Sequence, residues 1–126
     1  MRGMILGLAV GLAVLLTAGE GRAGYVNGQS LNEECRDGER DDEDSLIPFG
    51  QCVGYIQGVY DAGRVLDAAT DKRQWEGGWT SCVPDSVLAG QLKEVVMKWL
   101  REHPADWHYE ADNLVARAFQ EAFPCR

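Results

Sequence analysis

Apolar residues recur at helical spacing in three stretches of this chain, whereas the alternation typical of a strand is weak throughout. The first stretch covers about residues 49–69, follows Pro48, and carries Val53, Ile56, Val59, Tyr60 and Leu66. The second covers about residues 86–102, and its apolar face comprises Leu88, Leu92, Val95, Val96, Trp99 and Leu100. It should end at His103-Pro104, because the residue before a proline is pushed out of the helical region.

The third stretch runs to about residue 122 and ends before Pro124, and we expect Asp106 to cap it. Its predicted buried face comprises Ala111, Leu114, Val115, Ala118, Phe119, Ala122 and Phe123. Asp85 or Ser86 is the expected cap of the preceding helix. A short helix at about residues 31–36 is indicated by the capping box that runs from Ser30 to Glu33. One short and three amphipathic helices predict a small all-α domain.

A stripe of small residues runs along the first of the long helices. Gly50, Gly54, Gly58 and Ala62 follow one another at four-residue spacing. Each glycine inside a helix costs about 1 kcal/mol relative to alanine. The stripe therefore predicts that another backbone approaches this face closely.

The connector at about residues 69–81 has no helical period and contains two tryptophans around a glycine pair. Tryptophan is enriched among the residues that carry binding energy, and glycines let a loop enter a cleft closely. We therefore predict that Trp75, Gly77, Gly78 and Trp79 bind a partner. The alternative is that one or both indole rings cover the helical core.

The N-terminal segment has the pattern of a secretory signal. Arg2 precedes an apolar run over residues 4–18, which is short for a bilayer span, since a span needs about 20 residues. Gly21 and Ala23 supply the small residues of a cleavage site after Ala23. We expect residues 1–23 to be removed and residues 24–126 to form a single periplasmic domain. An uncleaved membrane anchor is the alternative.

The chain has four cysteines, and all of them follow the expected cleavage site: Cys35, Cys52, Cys82 and Cys125. An even number of cysteines in a small exported chain predicts two disulfides. A metal site is not expected, because the chain has no Cys-x-x-Cys pair and Pro104 separates His103 from His108. Three pairings stay open. We prefer Cys35–Cys52 with Cys82–Cys125, since this pairing closes the shorter loops.

Composition and charge exclude several classes of function. The chain has 126 residues and a formal net charge of −8, which leaves no basic footprint for nucleic acid. Residues 33–44 hold eight acids and two bases and are interpreted as a solvated loop. His103 is expected to end a helix and His108 to have a packing role. Since no nucleophile, base and orienting group stand in a known arrangement, we expect neither an enzyme nor a cofactor.

The order of several motifs resembles the Rap/Tai family of exported immunity proteins associated with type VI secretion amidase effectors. The most specific segments are Cys52-Val53-Gly54-Tyr55-Ile56-Gln57-Gly58 and the closing Phe123-Pro124-Cys125. Further motifs are Cys82-Val83-Pro84, Gly90-Gln91-Leu92, Val95-Val96, Trp99-Leu100, His103-Pro104 and Leu114-Val115. One departure is Leu88, where the family pattern often has Thr or Ser.

The resemblance implies a small, periplasmic, disulfide-bonded all-α protein that binds a peptidoglycan amidase, blocks its cleft and forms a homodimer. It implies no cofactor and no catalytic residue. Two alternatives stay open: a small periplasmic acid-stress chaperone, and an orphan helical binding protein without a cognate toxin. A small secreted enzyme is a third hypothesis, which a reactive cysteine would support.

Overall fold

The computed structural model describes residues 26–69 and 81–125, and within them the chain forms four α-helices. Their bounds are Gly28–Asp37 (α1), Leu46–Ala69 (α2), Ala89–Glu102 (α3) and Ala111–Ala122 (α4). Short 3₁₀ helices at Glu43–Ser45 and Pro104–Asp106 lie before α2 and after α3. The predicted all-α class is confirmed. The predicted signal segment, residues 1–23, and most of the connector, residues 70–80, lie outside the described residues.

All four helices contribute to one apolar core. The fully buried side chains come from α1 (Leu31, Cys35), α2 (Cys52, Ile56), α3 (Val96, Met97, Leu100) and α4 (Ala111, Leu114, Val115, Ala118). Tyr60 meets Phe119 edge to face across α2 and α4, with ring centroids 6.2 Å apart. The helical periodicity in the sequence therefore predicted most inward positions of the three long helices. Leu88 and Ala122 are exposed, Val53 is only half-buried, and the predicted position of the Leu66 side chain lies outside what the structure describes.

Two disulfides join parts of the chain that are distant in sequence. Cys35 bonds to Cys52, which links α1 to α2, and Cys82 bonds to Cys125, which links the segment before α3 to the end of α4. This is the pairing preferred from loop lengths. Cys35 and Cys52 are completely buried, whereas Cys82 and Cys125 are exposed.

Helix α1 begins three residues earlier than the sequence indicated. Asn27 is its N-cap, and the backbone N–H of Ser30 donates to Asn27 Oδ1 at 2.9 Å. The backbone N–H of Asn27 donates in return to Ser30 Oγ at 3.2 Å. The capping box is thus real, but Ser30 is its third helical residue and not its cap. The prediction was wrong because Ser30 satisfies either position of the motif.

Close backbone approach occurs at glycines of the α1 region. A Cβ added at Gly28 would meet Leu114 Cδ1, and it would lie 2.9 Å from the Cα of Trp107. One added at Gly38 would lie 2.6 Å from the Cα of Phe49. Since neither position has room for a side chain, these two glycines let α1 and the turn after it lie against the rest of the domain.

The predicted starts of the long helices were also displaced. Helix α2 begins at Leu46, so Pro48 lies inside its first turn, where a missing N–H costs nothing. Helix α3 begins at Ala89, because Pro84 and Val87 close a turn through a backbone hydrogen bond of 3.0 Å. Leu88 is therefore the N-cap of α3, without a side-chain cap, and its own side chain is 75% exposed.

The connection between α3 and α4 is ordered by two aromatic residues. His103 ends α3 as predicted, and its ring stacks on Trp99 with centroids 4.0 Å apart. Trp107 Nε1 donates to the carbonyl of Leu100 at 2.8 Å, and this carbonyl at the helix end also accepts from the backbone N–H of His103 at 3.2 Å. Asp106 closes the 3₁₀ turn and does not cap α4, which starts after Glu110.

None of the helices within the described residues is long and apolar enough to cross a membrane.

Candidate functional site

The residues predicted to bind a partner, Trp75, Gly77, Gly78 and Trp79, lie outside the described residues. The structure describes the two ends of the segment that contains these residues. Helix α2 leads into it at Ala69, and Ser81 follows it. The backbone N–H of Cys82 donates to the carbonyl of Phe123 at 2.8 Å, and the Cys82–Cys125 disulfide holds the same place. The exit of the segment is thus fixed to the C-terminal end of α4.

A small cavity lies beside that exit. Its volume is about 20 Å³, which is room for about one water molecule and too little for a substrate. It is lined by Val59, Tyr60, Gly63, Arg64, Ser81, Ala116 and Phe119. Because this lining contains no nucleophile beside a base, the cavity has no arrangement that would support catalysis.

A larger and more open groove of about 260 Å³ separates α3 from α4. Lys98 and Glu102 lie along it with 3.9 Å between their charged groups, and Trp99 forms part of its wall. Trp99 Nε1 is buried and has no hydrogen-bond partner among the described residues. The groove is smaller than the usual small-molecule site of about 300–1,000 Å³, and no catalytic pair faces it.

The acidic segment between α1 and α2 is exposed, as predicted from its composition. Arg40 bridges its two ends, at 3.6 Å from Asp37 and 3.4 Å from Asp42. Both ion pairs are largely in solvent and therefore contribute little to stability. Ser45, which is buried, donates its hydroxyl to the carbonyl of Asp42 and closes the turn before α2.

A buried lysine ties this acidic segment to α3. Lys93 is 7% exposed, and its ammonium donates to Glu39 at 3.0 Å and to Glu94 at 3.1 Å. Burial alone would lower the pKa of Lys93, but the hydrogen bonds to the two carboxylates outweigh it and raise the pKa above the ordinary 10.5. Sequence reasoning missed this contact, because Lys93 and Glu39 stand 54 residues apart.

The predicted glycine face of α2 faces away from the core. A Cβ added at Gly50, Gly54 or Gly58 would meet no heavy atom within 4 Å, and Ala62 is exposed as well. Within residues 26–69 and 81–125, the prediction that another backbone approaches this face closely is therefore wrong. The buried face of the helix, at Cys52, Ile56 and Val59, lies on its opposite side. Each of these glycines lowers helix stability by about 1 kcal/mol relative to alanine. This cost falls on a face that contacts nothing described in this chain.

Two large aliphatic side chains continue the same outward face at its N-terminal end. Leu46 is 70% exposed and Ile47 is 73% exposed. Exposed aliphatic side chains next to one another are typical of contact surfaces. We use "the outward face of α2" for Leu46, Ile47, Gly50, Gly54 and Gly58 together.

The two histidines do not form a chemical site. His103 lies within hydrogen-bond distance of the carbonyl of Trp99, at 2.8 Å from its Nδ1, and so belongs to the end of α3. His108 is exposed beside the ring of Tyr109 rather than packed in the core. Across residues 26–69 and 81–125, no group of three or more His, Cys, Asp or Glu side chains is arranged to hold a metal ion.

Comparison with known protein families determines the family to which this chain belongs. The model of the Rap1a immunity proteins matches residues 27–125. The chain belongs to the Rap1a immunity protein family. The match begins at the N-cap of α1 and ends at the last cysteine, so it includes all four helices and both disulfides. A search of curated proteins and a search of solved structures found no match.

Membership confirms the resemblance drawn from the Cys52–Gly58 segment and the closing Phe123-Pro124-Cys125. Immunity proteins act by binding a protein effector, as inhibitors rather than as enzymes. The functionally important features of a Rap1a immunity protein are therefore the surfaces available to bind an effector. The described residues offer the acidic segment, the outward face of α2 and the fixed end of the tryptophan segment.

Proposed function

We propose that this chain is exported to the periplasm, where it binds a peptidoglycan amidase effector of type VI secretion and blocks its cleft. The observation that carries the proposal is the family match over residues 27–125. The amidase as target comes from the family resemblance set out above. The resemblance also implies a homodimer, and we include it in the proposal.

Export is supported by the chemistry of the cysteines. Disulfides form and persist in oxidising compartments such as the periplasm, and this domain has two. We propose that residues 1–23 are the signal and that residues 24–126 are the mature domain. Intact-mass analysis of the exported protein should give a start at Gly24 and a loss of four hydrogens. A mature protein with free thiols would contradict this part.

We propose that Trp75, Gly77, Gly78 and Trp79 form the surface that contacts the amidase. The rigid attachment of Ser81 and Cys82 to the end of α4 supports this, because recognition loops work from a rigid scaffold. The acidic segment is the rival surface. Charges of this kind mainly speed association with a basic partner, so its contribution should weaken strongly with added salt.

The test is an inhibition titration of the candidate amidase with the oxidised mature protein. Activity should fall to zero at a fixed stoichiometry. Trp75→Ala and Trp79→Ala should each weaken binding by about 2 kcal/mol or more if they are hot spots. Tyr109→Ala is the matched control, since this aromatic side chain is about half exposed and stands outside the segment.

Melting temperatures distinguish residues that contact the amidase from residues that pack against the core of the domain. Contact residues lose affinity while stability stays near that of the wild type. If both tryptophan variants lose stability and neither loses affinity once folded, the rings cover the core and the contact surface lies elsewhere. A protein that leaves the amidase fully active, but binds unfolded clients in acid, would be a chaperone instead.

A further inference from the structure

The groove between α3 and α4 is formed by one face of each helix. Positions three and four residues apart share a side of a helix. This spacing holds for all the lining residues, which are Val95, Lys98, Trp99 and Glu102 on α3 and Ala118, Glu121 and Ala122 on α4. Because α4 contributes two alanines, the side chains of the described residues leave a space of about 260 Å³ open between the helices.

One wall of the groove contains a hydrogen-bond donor without an acceptor. Trp99 is 5% exposed, and its Nε1 has no partner among the described residues. Trp107 shows the contrast, since its Nε1 donates to the carbonyl of Leu100 at 2.8 Å. A buried N–H left without an acceptor is destabilising. A ligand that brings an acceptor to this wall would therefore remove an unfavourable feature of the empty groove.

The rim of the groove is acidic. Glu121 is exposed, and no basic group of residues 26–69 and 81–125 lies within ion-pair distance of it. Among the same residues, Glu102 has Lys98 as its one partner, at 3.9 Å and largely in solvent, and such a pair contributes little. With two acids and one base along it, the groove favours a cationic ligand.

We propose that this groove binds an extended segment of the protein effector, with an arginine side chain of that segment as the anchor. A backbone carbonyl of the segment accepts from Trp99 Nε1. The aliphatic stem of the arginine lies along Ala118 and Ala122, and its guanidinium group pairs with Glu121. The inference rests on the effector binding in the proposed function and adds a second contact surface to it.

A protein segment supplies all three groups that the groove lacks. Every residue of an extended segment carries a backbone carbonyl. Arginine joins an apolar stem to a planar set of donors that suits a carboxylate, and it is enriched at protein interfaces. The volume of about 260 Å³ lies below the range of about 300–1,000 Å³ for small-molecule sites, so one side chain with its neighbouring backbone is the better fit.

The test follows the indole N–H signals of the oxidised mature chain by NMR. The probe is the blocked tripeptide acetyl-Gly-Arg-Gly-amide, added stepwise to the labelled and assigned protein. The signal of Trp99 should shift until it saturates, whereas that of Trp107 should stay in place because its N–H already has an acceptor. Acetyl-Gly-Glu-Gly-amide is the matched control peptide and should cause no saturable shift.

Two variants locate the peptide in the groove. Glu121→Lys should weaken its binding at least about tenfold, and Asp61→Lys makes the same change of charge at an exposed acid of α2 as the control. Ala122→Leu fills the groove and should weaken binding similarly, with Ala62→Leu on α2 as its control. All four positions are exposed, so the melting temperatures should stay near that of the wild type.

The same four variants are then compared as inhibitors of the candidate amidase. Glu121→Lys and Ala122→Leu should inhibit at least about tenfold more weakly than the wild type. Asp61→Lys and Ala62→Leu should inhibit as the wild type does.

The possible outcomes separate this inference from the proposed function. A Trp99 signal that shifts no more than that of Trp107 refutes the groove as a binding site. A Trp99 signal that moves on dilution without peptide assigns the groove to a second copy and also refutes the proposal. Unchanged inhibition by both groove variants refutes the effector segment as occupant. An amidase that the wild type leaves fully active refutes the proposed target, whereas a saturable shift of Trp99 still supports the groove as a peptide site.

Discussion

The two faces of α2 show how differently one helix can be used. On the inward face, Cys52 and Ile56 are completely buried, and Cys52 is bonded to α1. On the outward face, Gly54 and Ile47 contact solvent. Both faces follow the same helical period, so periodicity alone does not tell them apart. The difference teaches that the inward face stabilises this fold, whereas the outward face contacts no other part of the chain that the structure describes.

The largest expected effect is the difference in stability loss between two isoleucines, one on each face of α2. Ile56→Ala removes a fully buried side chain and should lower the free energy of unfolding by about 2–5 kcal/mol. Ile47→Ala is the matched control on the same helix and should change it by about 0.5 kcal/mol or less in the monomer. Urea denaturation measures both. Equal losses would mean that the two faces do not differ in the way described.

The disulfide on the inward face should contribute nearly as much to the free energy of unfolding as the side chain of Ile56. Replacing Cys35 and Cys52 together by alanine should cost about 3 kcal/mol, because the bridge closes a loop spanning 17 residues. Mild reductant offers a second measurement, followed by alkylation and mass analysis. Cys82–Cys125 is exposed and should be reduced first, since access governs the rate of exchange. Prior reduction of Cys35–Cys52 would contradict its burial.

A titratable group on the flank of α2 predicts a dependence on alkaline pH. Burial, together with the nearby carboxylates of Asp112 and Glu110, raises the pKa of Tyr55 from 10.0 to about 12. The folded state then holds a proton that the unfolded state loses. The corresponding stability is complete below pH 10 and is lost as the pH rises towards about 12.

Tyr55→Phe removes this proton, so its free energy of unfolding should fall less steeply than that of the wild type over the same pH interval. Urea denaturation across the interval gives both curves. If the two proteins lose stability in parallel, the phenol of Tyr55 does not remain protonated in the fold as described.

The smallest effect has the opposite sign. Gly54→Ala should stabilise the monomer by up to about 1 kcal/mol, because the added methyl group meets nothing and the helix propensity improves. Gly28→Ala, the comparison variant, should destabilise, since its Cβ would collide with Leu114. Thermal melts at low protein concentration measure both. A loss of stability for Gly54→Ala in the monomer would show that its surroundings are not open.

Sequence patterns predicted the parts of the fold that depend on local chemistry. The helical period gave the buried positions from Ile56 to Phe119, and loop lengths gave the preferred disulfide pairing. The starts of α1 at Gly28 and of α3 at Ala89 were missed, because capping depends on turn geometry and several nearby side chains are able to cap.

Other features depend on contacts between distant parts of the chain. The contact of Lys93 with Glu39 spans 54 residues, and no local pattern indicates it. The spacing of the α2 glycines predicted a closely packed backbone that the described residues do not supply, because spacing alone does not tell a buried helix face from an exposed one. The partner-binding role of Trp75 and Trp79 stays a prediction.

Titration of the candidate amidase with the oxidised mature chain tests most directly whether this member of the Rap1a family acts as an inhibitor. The activity of the amidase should fall to zero at a fixed stoichiometry. An amidase that stays fully active with an excess of the folded, oxidised chain would contradict the account.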